Sequence, residues 1–269
     1  IQKALMPYYT VPEMIAFCND HSVMDCDFYI MRRVEGIIPR SNLPKDLVLT
    51  TEQTKQLCLN VIDKLIELHQ IDIQTTGLSS FGKGTGYCKR QIDGWSERFK
   101  KAKTWNVPKC NYVINWLKAN IPTEEKTCLI HNDYRFDNVI LDVKNTMKII
   151  GVLDWEMATV GDPLMDLGAM LAYWFEANEE PIFKQYNCTW LPGNLTRNEI
   201  VSMYTSLTNR DVSDIYFYYT FGLFKNAVIA QQIYHRHKQG FSTDERFGAL
   251  LPMIQLLGDR KSTRLNSSH

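Results

Sequence analysis

The sequence lacks any CxxC pair, because its seven cysteines are scattered along the chain and are odd in number. Such spacing is typical of neither a disulfide framework nor a zinc site. We therefore expect a reducing intracellular compartment, since disulfides persist mainly in oxidising ones. The cytoplasm is the default assignment, and an organelle stays open because the chain does not open with methionine.

The sequence also lacks a long apolar run, a signal peptide and a cluster of charge of one sign. No apolar stretch approaches the roughly 20 residues that cross a bilayer. Lysine plus arginine equals aspartate plus glutamate at 30 each. That balance argues against nucleic acid or an anionic membrane as a partner, because either would favour a basic stripe. We expect no nucleic-acid partner and no membrane partner.

Both ends of the chain look like the ends of a fragment. The chain opens at Ile1, and residues 259–269 (DRKSTRLNSSH) resemble a translated sequencing adapter. We expect this tail to be non-native, and the fold prediction excludes it.

Local patterns in the first part of the chain predict one strand and one long helix. Residues 27–34 (DFYIMRRV) are rich in aromatic and β-branched residues and predict a strand, which the glycine and prolines of 35–45 end. A lobe boundary is expected there. Thr50 and Gln53 have capping-box spacing, and apolar residues then recur at helical spacing over 51–69.

The rest of the chain predicts short strands followed by helices. Three apolar runs, 127–130, 139–142 and 147–153, predict strands, with a hairpin turn near Asn145. A long helix is expected over about 213–238. Two further helix starts are indicated by the pairs Asp162–Pro163 and Thr196–Glu199. The sequence therefore predicts a small β portion and a large helical portion.

A polar cluster separates the first two of these runs. Within LIHNDYRFDNVILD, residues 129–142, Asp133 and Asn138 lie between the runs, and Asp154 ends the third run. A hairpin brings the residue before its first strand beside the residue after its second, so Asn138 and Asp154 should be neighbours. Their oxygen atoms suit Mg²⁺. Asp133 is then left to face an attacking hydroxyl and accept its proton.

HNDYRFDN followed by VLDWE resembles the catalytic loop and metal-binding segment of the aminoglycoside phosphotransferase and choline kinase-like family. FYIMRRVEG, LIELHQID and LDWEMATVGDPLMDLGAMLAYW extend the resemblance to the phosphotransferase domain of acyl-CoA dehydrogenase family members 10 and 11. It covers essentially residues 1–257. The resemblance implies an α+β protein kinase-like fold, with a truncated N-terminal lobe and a helix-rich C-terminal lobe. Residues 1–38 would be the remnant of the nucleotide-binding lobe and hinge, and 39–258 the catalytic and substrate-binding lobe.

The resemblance also implies a function and its residues. A kinase of this family transfers the γ-phosphoryl group of ATP, with Mg²⁺, to a hydroxyl of a small molecule. Carried over by position, Asp133 is the catalytic base, and Asn138 and Asp154 are the metal ligands. The backbone of the hinge would bind adenine, through Ile30, Met31, Arg32, Arg33 and Val34. Arg32 and Arg33 stand where the family has an acidic-aromatic pair, and Asn132 where glycine is commonest.

Three residues are implied to support the site, each with an alternative role. His131 resembles the loop histidine that packs beneath the site, which favours a structural role over acid or base chemistry. Asp166 resembles the acid that fixes the shape of the catalytic loop, although it could simply complement a helix dipole. Arg135 could contact phosphate or only a neighbouring carboxylate.

The family's phosphate-gripping lysine, its partner glutamate and the loop over the phosphates have no counterpart in the chain. IQKALMPYYTVP resembles the end of the helix that carries this glutamate, so the lysine would lie upstream of Ile1. We therefore expect the chain alone to have little or no kinase activity.

The acceptor is predicted from what the sequence lacks and from the resemblance. The sequence shows no acidic cluster sized for a polycationic aminoglycoside, and resemblance to the dehydrogenase-linked branch suggests a hydroxyacyl compound or its CoA thioester. It also suggests fusion to an acyl-CoA dehydrogenase domain in the full gene product. Two alternatives stay open, namely a non-catalytic nucleotide-binding pseudokinase or scaffold, and a choline or ethanolamine-type kinase.

Overall fold

The structure is a computed structural model that describes residues 1–41, 43–44, 47–107, 109–123 and 127–257. The predicted non-native tail, 259–269, lies outside the described residues. The helices are α1 (Gln2–Leu5), α2 (Thr51–Gln70), α3 (Tyr87–Ala102), α4 (Asn111–Ala119), α5 (Pro163–Tyr173), α6 (Pro181–Lys184), α7 (Arg197–Thr208), α8 (Ile215–Lys238) and α9 (Glu245–Gly248). Residues 250–257 are also helical. The strands are β1 (Met14–Cys18), β2 (Phe28–Met31), β3 (Cys128–Ile130), β4 (Val139–Leu141), β5 (Ile149–Val152) and β6 (Thr159–Gly161).

The chain forms two compact units, each built from three segments. The first unit contains residues 1–83, 128–161 and 175–210, and the second contains 84–127, 162–174 and the chain from 211 onward. The first unit holds the strands together with α1, α2, α6 and α7, whereas the described part of the second is helical. The predicted division near residue 38, between a nucleotide-binding lobe and a catalytic lobe, stays a prediction.

Helix α2 begins where the sequence predicts. The side chain of Thr50 accepts a hydrogen bond from the backbone N–H of Gln53 at 3.2 Å, and the side chain of Gln53 accepts one from the backbone N–H of Thr50 at 2.9 Å. Thr196 and Glu199 form the same capping box at α7. These reciprocal bonds satisfy N–H groups that a helix start leaves without partners. Helix α2 then buries its apolar face, including Leu57, Val61 and Leu65.

Two antiparallel strand pairs in the first unit position the polar cluster. β4 pairs with β5, with Val139 opposite Val152, which confirms the predicted hairpin. β3 pairs with β6, with Ile130 opposite Thr159. The residues between β3 and β4 and those between β5 and β6 are therefore held by strands at both ends.

A third strand pair is more exposed. β1 pairs with β2 in an antiparallel ribbon, and the Arg32 N–H beyond it donates to Glu13 O at 2.8 Å. Phe17 is 64% exposed and Tyr29 is 52% exposed. The observed strand, Phe28–Met31, is shorter than the predicted 27–34.

In the second unit, α5 and α8 approach closely at two glycines. A Cβ added at Gly168 would overlap the carbonyl group of Tyr218, and one added at Gly222 would overlap that of Gly168. Asp162 caps α5 by accepting the Leu164 N–H at 2.8 Å, and the Tyr218 hydroxyl donates to the same carboxylate at 2.8 Å.

The predicted helix starts and the long helix near 213–238 are confirmed. No helix among the described residues is long and apolar enough to cross a membrane.

Candidate active site

The loop between β3 and β4 holds Asp133 and Asn138 together. The Asn138 amide nitrogen donates to the Asp133 backbone oxygen at 2.7 Å and to Asp133 Oδ2 at 3.1 Å. A short 3-10 turn over Phe136–Asn138 allows this contact across five residues. The bonds fix Oδ2 of the carboxylate, and Asp133 Oδ1 accepts no hydrogen bond from the described residues. These bonds orient the Asn138 amide, and its Oδ1 is the atom that can bind a cation, since an amide nitrogen is a donor only.

The hairpin brings Leu153, the residue before Asp154, to the backbone of Asn138, as its register requires. The Leu153 N–H donates to the Asn138 backbone oxygen at 2.8 Å, one residue before Asp154. Asp154 has a left-handed backbone, with a φ of 67°, and is exposed. A non-glycine residue is uncommon in this conformation. The left-handed conformation changes the direction of the chain after β5. It leaves the Asp154 carboxylate accessible.

His131 connects the loop between β3 and β4 to the segment that carries Asp154. The ring is fully buried. Its Nδ1 accepts the Asp133 N–H at 3.2 Å, and its Nε2 bonds to Leu153 O at 2.8 Å. An acceptor at Nδ1 and a donor at Nε2 define the neutral imidazole. Trp155 packs on the ring with a centroid distance of 4.7 Å. His131 is therefore engaged in holding two backbone segments.

Tyr134 is a supporting residue that the sequence analysis did not identify. It is fully buried, and its hydroxyl donates to Val61 O in α2 at 2.7 Å. This bond ties the loop between β3 and β4 to helix α2. The sequence signal for Tyr134 was an aromatic side chain between Asp133 and Arg135, because an aromatic residue in a polar loop is usually buried.

Arg135 contacts two carboxylates within its own loop. Its Nε is 3.4 Å from Asp133 Oδ2, and its Nη1 is 3.7 Å from Asp137 Oδ2. Burial raises the pKa of the Asp137 carboxyl, and the positive charge of Arg135 opposes that shift. Of the two roles weighed for Arg135, the carboxylate contact is present. A contact with phosphate stays a prediction.

The predicted hinge residues belong to the first unit and Asp166 to the second. Residues 30–34 follow or end strand β2, where Ile30 is 49% exposed and Met31 is 40% exposed. The side chain of Arg32 pairs with Glu13 at 2.6 Å. Asp166 is fully buried on α5, in the second unit. Its predicted hydrogen bonds to the catalytic loop stay a prediction.

A cleft of about 740 Å³ in the first unit adjoins the segment after Asp154. Trp155, Glu156 and Ala158 line it, together with the start of the chain, Phe81, β1 and Tyr29. None of residues 30–34 lines this cleft.

The donor atoms at the polar cluster fit Mg²⁺ with a small number of protein ligands. Asn138 Oδ1 and the Asp154 carboxylate are hard oxygen donors of the kind this ion prefers. Within the described ranges, no group of three or more His, Cys, Asp or Glu side chains could hold a metal ion. A magnesium ion here would therefore need water or phosphate oxygens for its remaining positions, as this ion commonly does.

Comparison with known proteins finds a matching family model and a related protein. The model of the phosphotransferase enzyme family matches residues 2–197. Human acyl-CoA dehydrogenase family member 11 is 31% identical over 264 residues, which cover 96% of this chain and 33% of that protein. The chain thus spans about a third of the length of this curated relative.

Two solved structures have a similar fold. A candidate aminoglycoside phosphotransferase from Ralstonia eutropha has a TM-score of 0.83 at 27% identity, covering 97% of this chain and 81% of that one. An ethanolamine kinase from Plasmodium vivax has a TM-score of 0.56 at 14% identity, covering 96% of this chain and 69% of that one. These likenesses confirm the predicted α+β kinase-like fold.

Proposed function

Because the chain belongs to the phosphotransferase enzyme family, we propose that it carries the catalytic base and metal ligands of a kinase. The reaction is transfer of the γ-phosphoryl group of ATP to a hydroxyl of a small molecule. The observation that carries this proposal is the hydrogen-bonded pair of Asp133 and Asn138. The backbone oxygen of Asn138 also accepts the N–H of Leu153, the residue before Asp154. In phosphoryl transfer the protein contributes mainly positioning and charge stabilisation, so the geometry of a few oxygens matters most.

Asp133 is the proposed base. Asn138 and Arg135 contact its Oδ2, which leaves Oδ1 to accept a hydrogen bond from the acceptor hydroxyl. Asp133 orients that hydroxyl toward the γ-phosphorus atom and accepts its proton as the new O–P bond forms. The bond between the γ-phosphorus and the β,γ-bridging oxygen breaks in the same transfer, and ADP leaves. General-base catalysis of this kind typically contributes about 10²- to 10⁴-fold in rate.

Asn138 and Asp154 are the proposed metal ligands. Asn138 offers Oδ1, because its amide nitrogen is bound to Asp133. When bound there, Mg²⁺ would supply positive charge that neutralises phosphate oxygens. His131 keeps the two ligand segments at a fixed spacing through its two ring nitrogens.

The backbone of residues Ile30 to Val34 is proposed to bind the adenine ring. The Arg32 N–H already donates to Glu13 O. Ile30 and Met31 pair with β1, so within this segment the backbone groups of Arg33 and Val34 are those we propose to contact adenine directly. Side-chain identity matters little in such a contact, which accommodates the two arginines at this position.

A hydroxyacyl compound or its CoA thioester is the proposed acceptor. Support comes from the curated relative, which is named an acyl-CoA dehydrogenase family member and is about three times as long as the matched region. Fusion of this domain to an acyl-CoA dehydrogenase domain is proposed on the same ground. A choline or ethanolamine-type kinase is the competing enzyme, and an aromatic and acidic cage facing Asp133 would favour it.

A non-catalytic nucleotide-binding pseudokinase or scaffold is the alternative outside enzymes. The hydrogen-bonded pair Asp133–Asn138, with Leu153 bonded to Asn138 directly before Asp154, favours the kinase. A module that only binds a partner has no chemical need for a free carboxylate oxygen beside two metal-binding oxygens.

Thermal unfolding with nucleotide tests the proposal on the 269-residue chain. ATP with Mg²⁺ at 100 times its Kd should stabilise the protein by about 2.7 kcal/mol, which raises Tm by several degrees. Asp133→Asn should keep this rise, since Asp133 is not a metal ligand, whereas Asp154→Asn should lose its Mg²⁺ dependence. Absence of protection in the unaltered chain, or equal protection in Asp154→Asn, would contradict the proposed binding roles.

A further inference from the structure

Asn132 has a left-handed backbone beside the proposed base. Its φ is 66°, a conformation that glycine adopts without strain and that asparagine tolerates better than most other residues. The backbone alone therefore does not require an amide side chain at this position. A role for the side chain must come from its contacts.

The Asn132 amide reaches the far end of the segment that carries Asp154. Its Nδ2 donates to Met157 O at 2.9 Å. His131, the preceding residue, bonds to Leu153 O at 2.8 Å. Two adjacent residues of the catalytic loop thus hold the backbone immediately before Asp154 and three residues after it. Asp154 lies between these two points in its own left-handed turn.

We propose that Asn132 is a positioning residue that fixes the Asp154 turn relative to Asp133 and thereby strengthens metal binding. The inference rests on the proposed function, because it takes Asp154 as a metal ligand. The residues that orient metal ligands typically contribute about 10- to 100-fold to metal affinity. The Asn132–Met157 bond acts on the C-terminal side of Asp154, where Trp155–Met157 form a single 3-10 turn.

The pairing of β3 with β6 is the competing explanation for the order of this segment. Ile130 lies opposite Thr159 in that pair, so the strands could hold residues 155–158 without help from Asn132. In that case removal of the amide would leave the Asp154 turn unchanged. The two explanations differ in what they predict for metal affinity.

Substitutions at two left-handed asparagines separate these explanations. Asn132→Gly keeps the backbone conformation and removes the donor, and Asn132→Asp replaces the donor with an acceptor that faces the Met157 carbonyl. Asn209→Gly is the matched control, because Asn209 is exposed, has a φ of 54° and ends α7. The measurement is Mn²⁺ affinity in the presence of saturating ATP, with Mn²⁺ in place of Mg²⁺. Amide hydrogen exchange of residues 155–158 is followed in parallel.

The inference predicts a Kd for Mn²⁺ raised about 10-fold in Asn132→Gly and further in Asn132→Asp. Exchange over 155–158 should be faster in both, and Asn209→Gly should match the unaltered chain in both measurements. Unchanged Mn²⁺ affinity in Asn132→Gly overturns the inference, provided that Asp154→Asn binds Mn²⁺ more weakly. If the unaltered chain binds no Mn²⁺ with ATP, the proposed function fails and the inference fails with it.

Discussion

Asn138 and Asp133 are joined by two hydrogen bonds from one amide nitrogen, at 2.7 Å to a backbone oxygen and 3.1 Å to a carboxylate oxygen. The first bond orients the amide so that its oxygen is available to a cation. The second fixes the carboxylate of Asp133 through Oδ2. The proposed base and one proposed metal ligand therefore cannot be displaced independently.

Asn138→Asp should destabilise the protein and misplace the base. The substitution replaces the donor with a carboxylate that faces both the Asp133 carboxylate and its carbonyl oxygen. Loss of a buried hydrogen-bond donor costs about 1–3 kcal/mol, to which charge repulsion adds. Urea unfolding at neutral pH measures the change. Asn145→Asp is the control, because Asn145 is exposed and uses only its side-chain oxygen, which accepts the Met147 N–H at 3.2 Å. Equal stability of the two variants would contradict the role given to the amide.

His131→Ala should lower the free energy of unfolding more than the same substitution at the exposed residue His21. It leaves the Asp133 N–H and the Leu153 carbonyl without the ring nitrogens that pair with them, and it opens a cavity beneath Trp155. We expect a loss of at least about 2 kcal/mol in the free energy of unfolding. His21→Ala removes only an exposed pair with Asp27, which is worth about 0–1 kcal/mol. Similar losses in both variants would show that the bonds of His131 contribute little.

Gly168→Ala and Gly222→Ala should each destabilise the second unit. In both variants the new methyl group overlaps a backbone carbonyl on the facing helix. Overpacking of this kind typically costs about 1–3 kcal/mol. Gly94→Ala is the control in α3, since a Cβ there meets no atom within 4 Å. That variant should gain up to about 1 kcal/mol, because alanine favours a helix more than glycine does. Calorimetry measures the Tm of each variant. A change in Tm of the same sign in all three variants would contradict the close approach of the two helices at these glycines.

Cys26 should react with a thiol reagent long before Cys58 or Cys188. Burial raises the pKa of Cys58 to about 11 and that of Cys188 to about 12. A raised pKa lowers the thiolate fraction, so at pH 8 these two thiols are ionised to about one part in a thousand or less. Cys26 is exposed. Mass spectrometry after labelling at pH 8, with and without urea, measures the order. Rapid labelling of Cys188 in the folded chain would contradict its burial.

The parts of the fold predicted from sequence are those fixed by short-range patterns. The capping boxes at Thr50 and Thr196 and the Asp162–Pro163 helix start each depend on residues within three positions. The β4–β5 hairpin follows from two apolar runs and one turn. Its register then brings Asn138 beside the residue before Asp154, which is why that proximity was predictable.

The partners in contacts between distant segments could not be predicted from the sequence. The bond between Asn132 and Met157 spans 25 residues, and the bond between Tyr134 and Val61 spans 73. The close approach at Gly168 and Gly222 depends on how two helices pack, which neither helix encodes alone. The left-handed conformation of Asp154 was also missed, because only a small fraction of non-glycine residues adopt it and no local pattern marks which of them do.

Phosphoryl transfer by the product of the intact transcript, with and without Asp133→Asn, tests the account most directly. The assay follows the γ-phosphoryl group of ATP to hydroxyacyl-CoA, choline and ethanolamine acceptors with Mg²⁺. We predict transfer to one acceptor, with kcat reduced about 10²- to 10⁴-fold in Asp133→Asn while ATP binding is retained. Equal transfer in both proteins would contradict the assignment of Asp133 as the base. Nucleotide binding without transfer in either protein would contradict the kinase and support the scaffold.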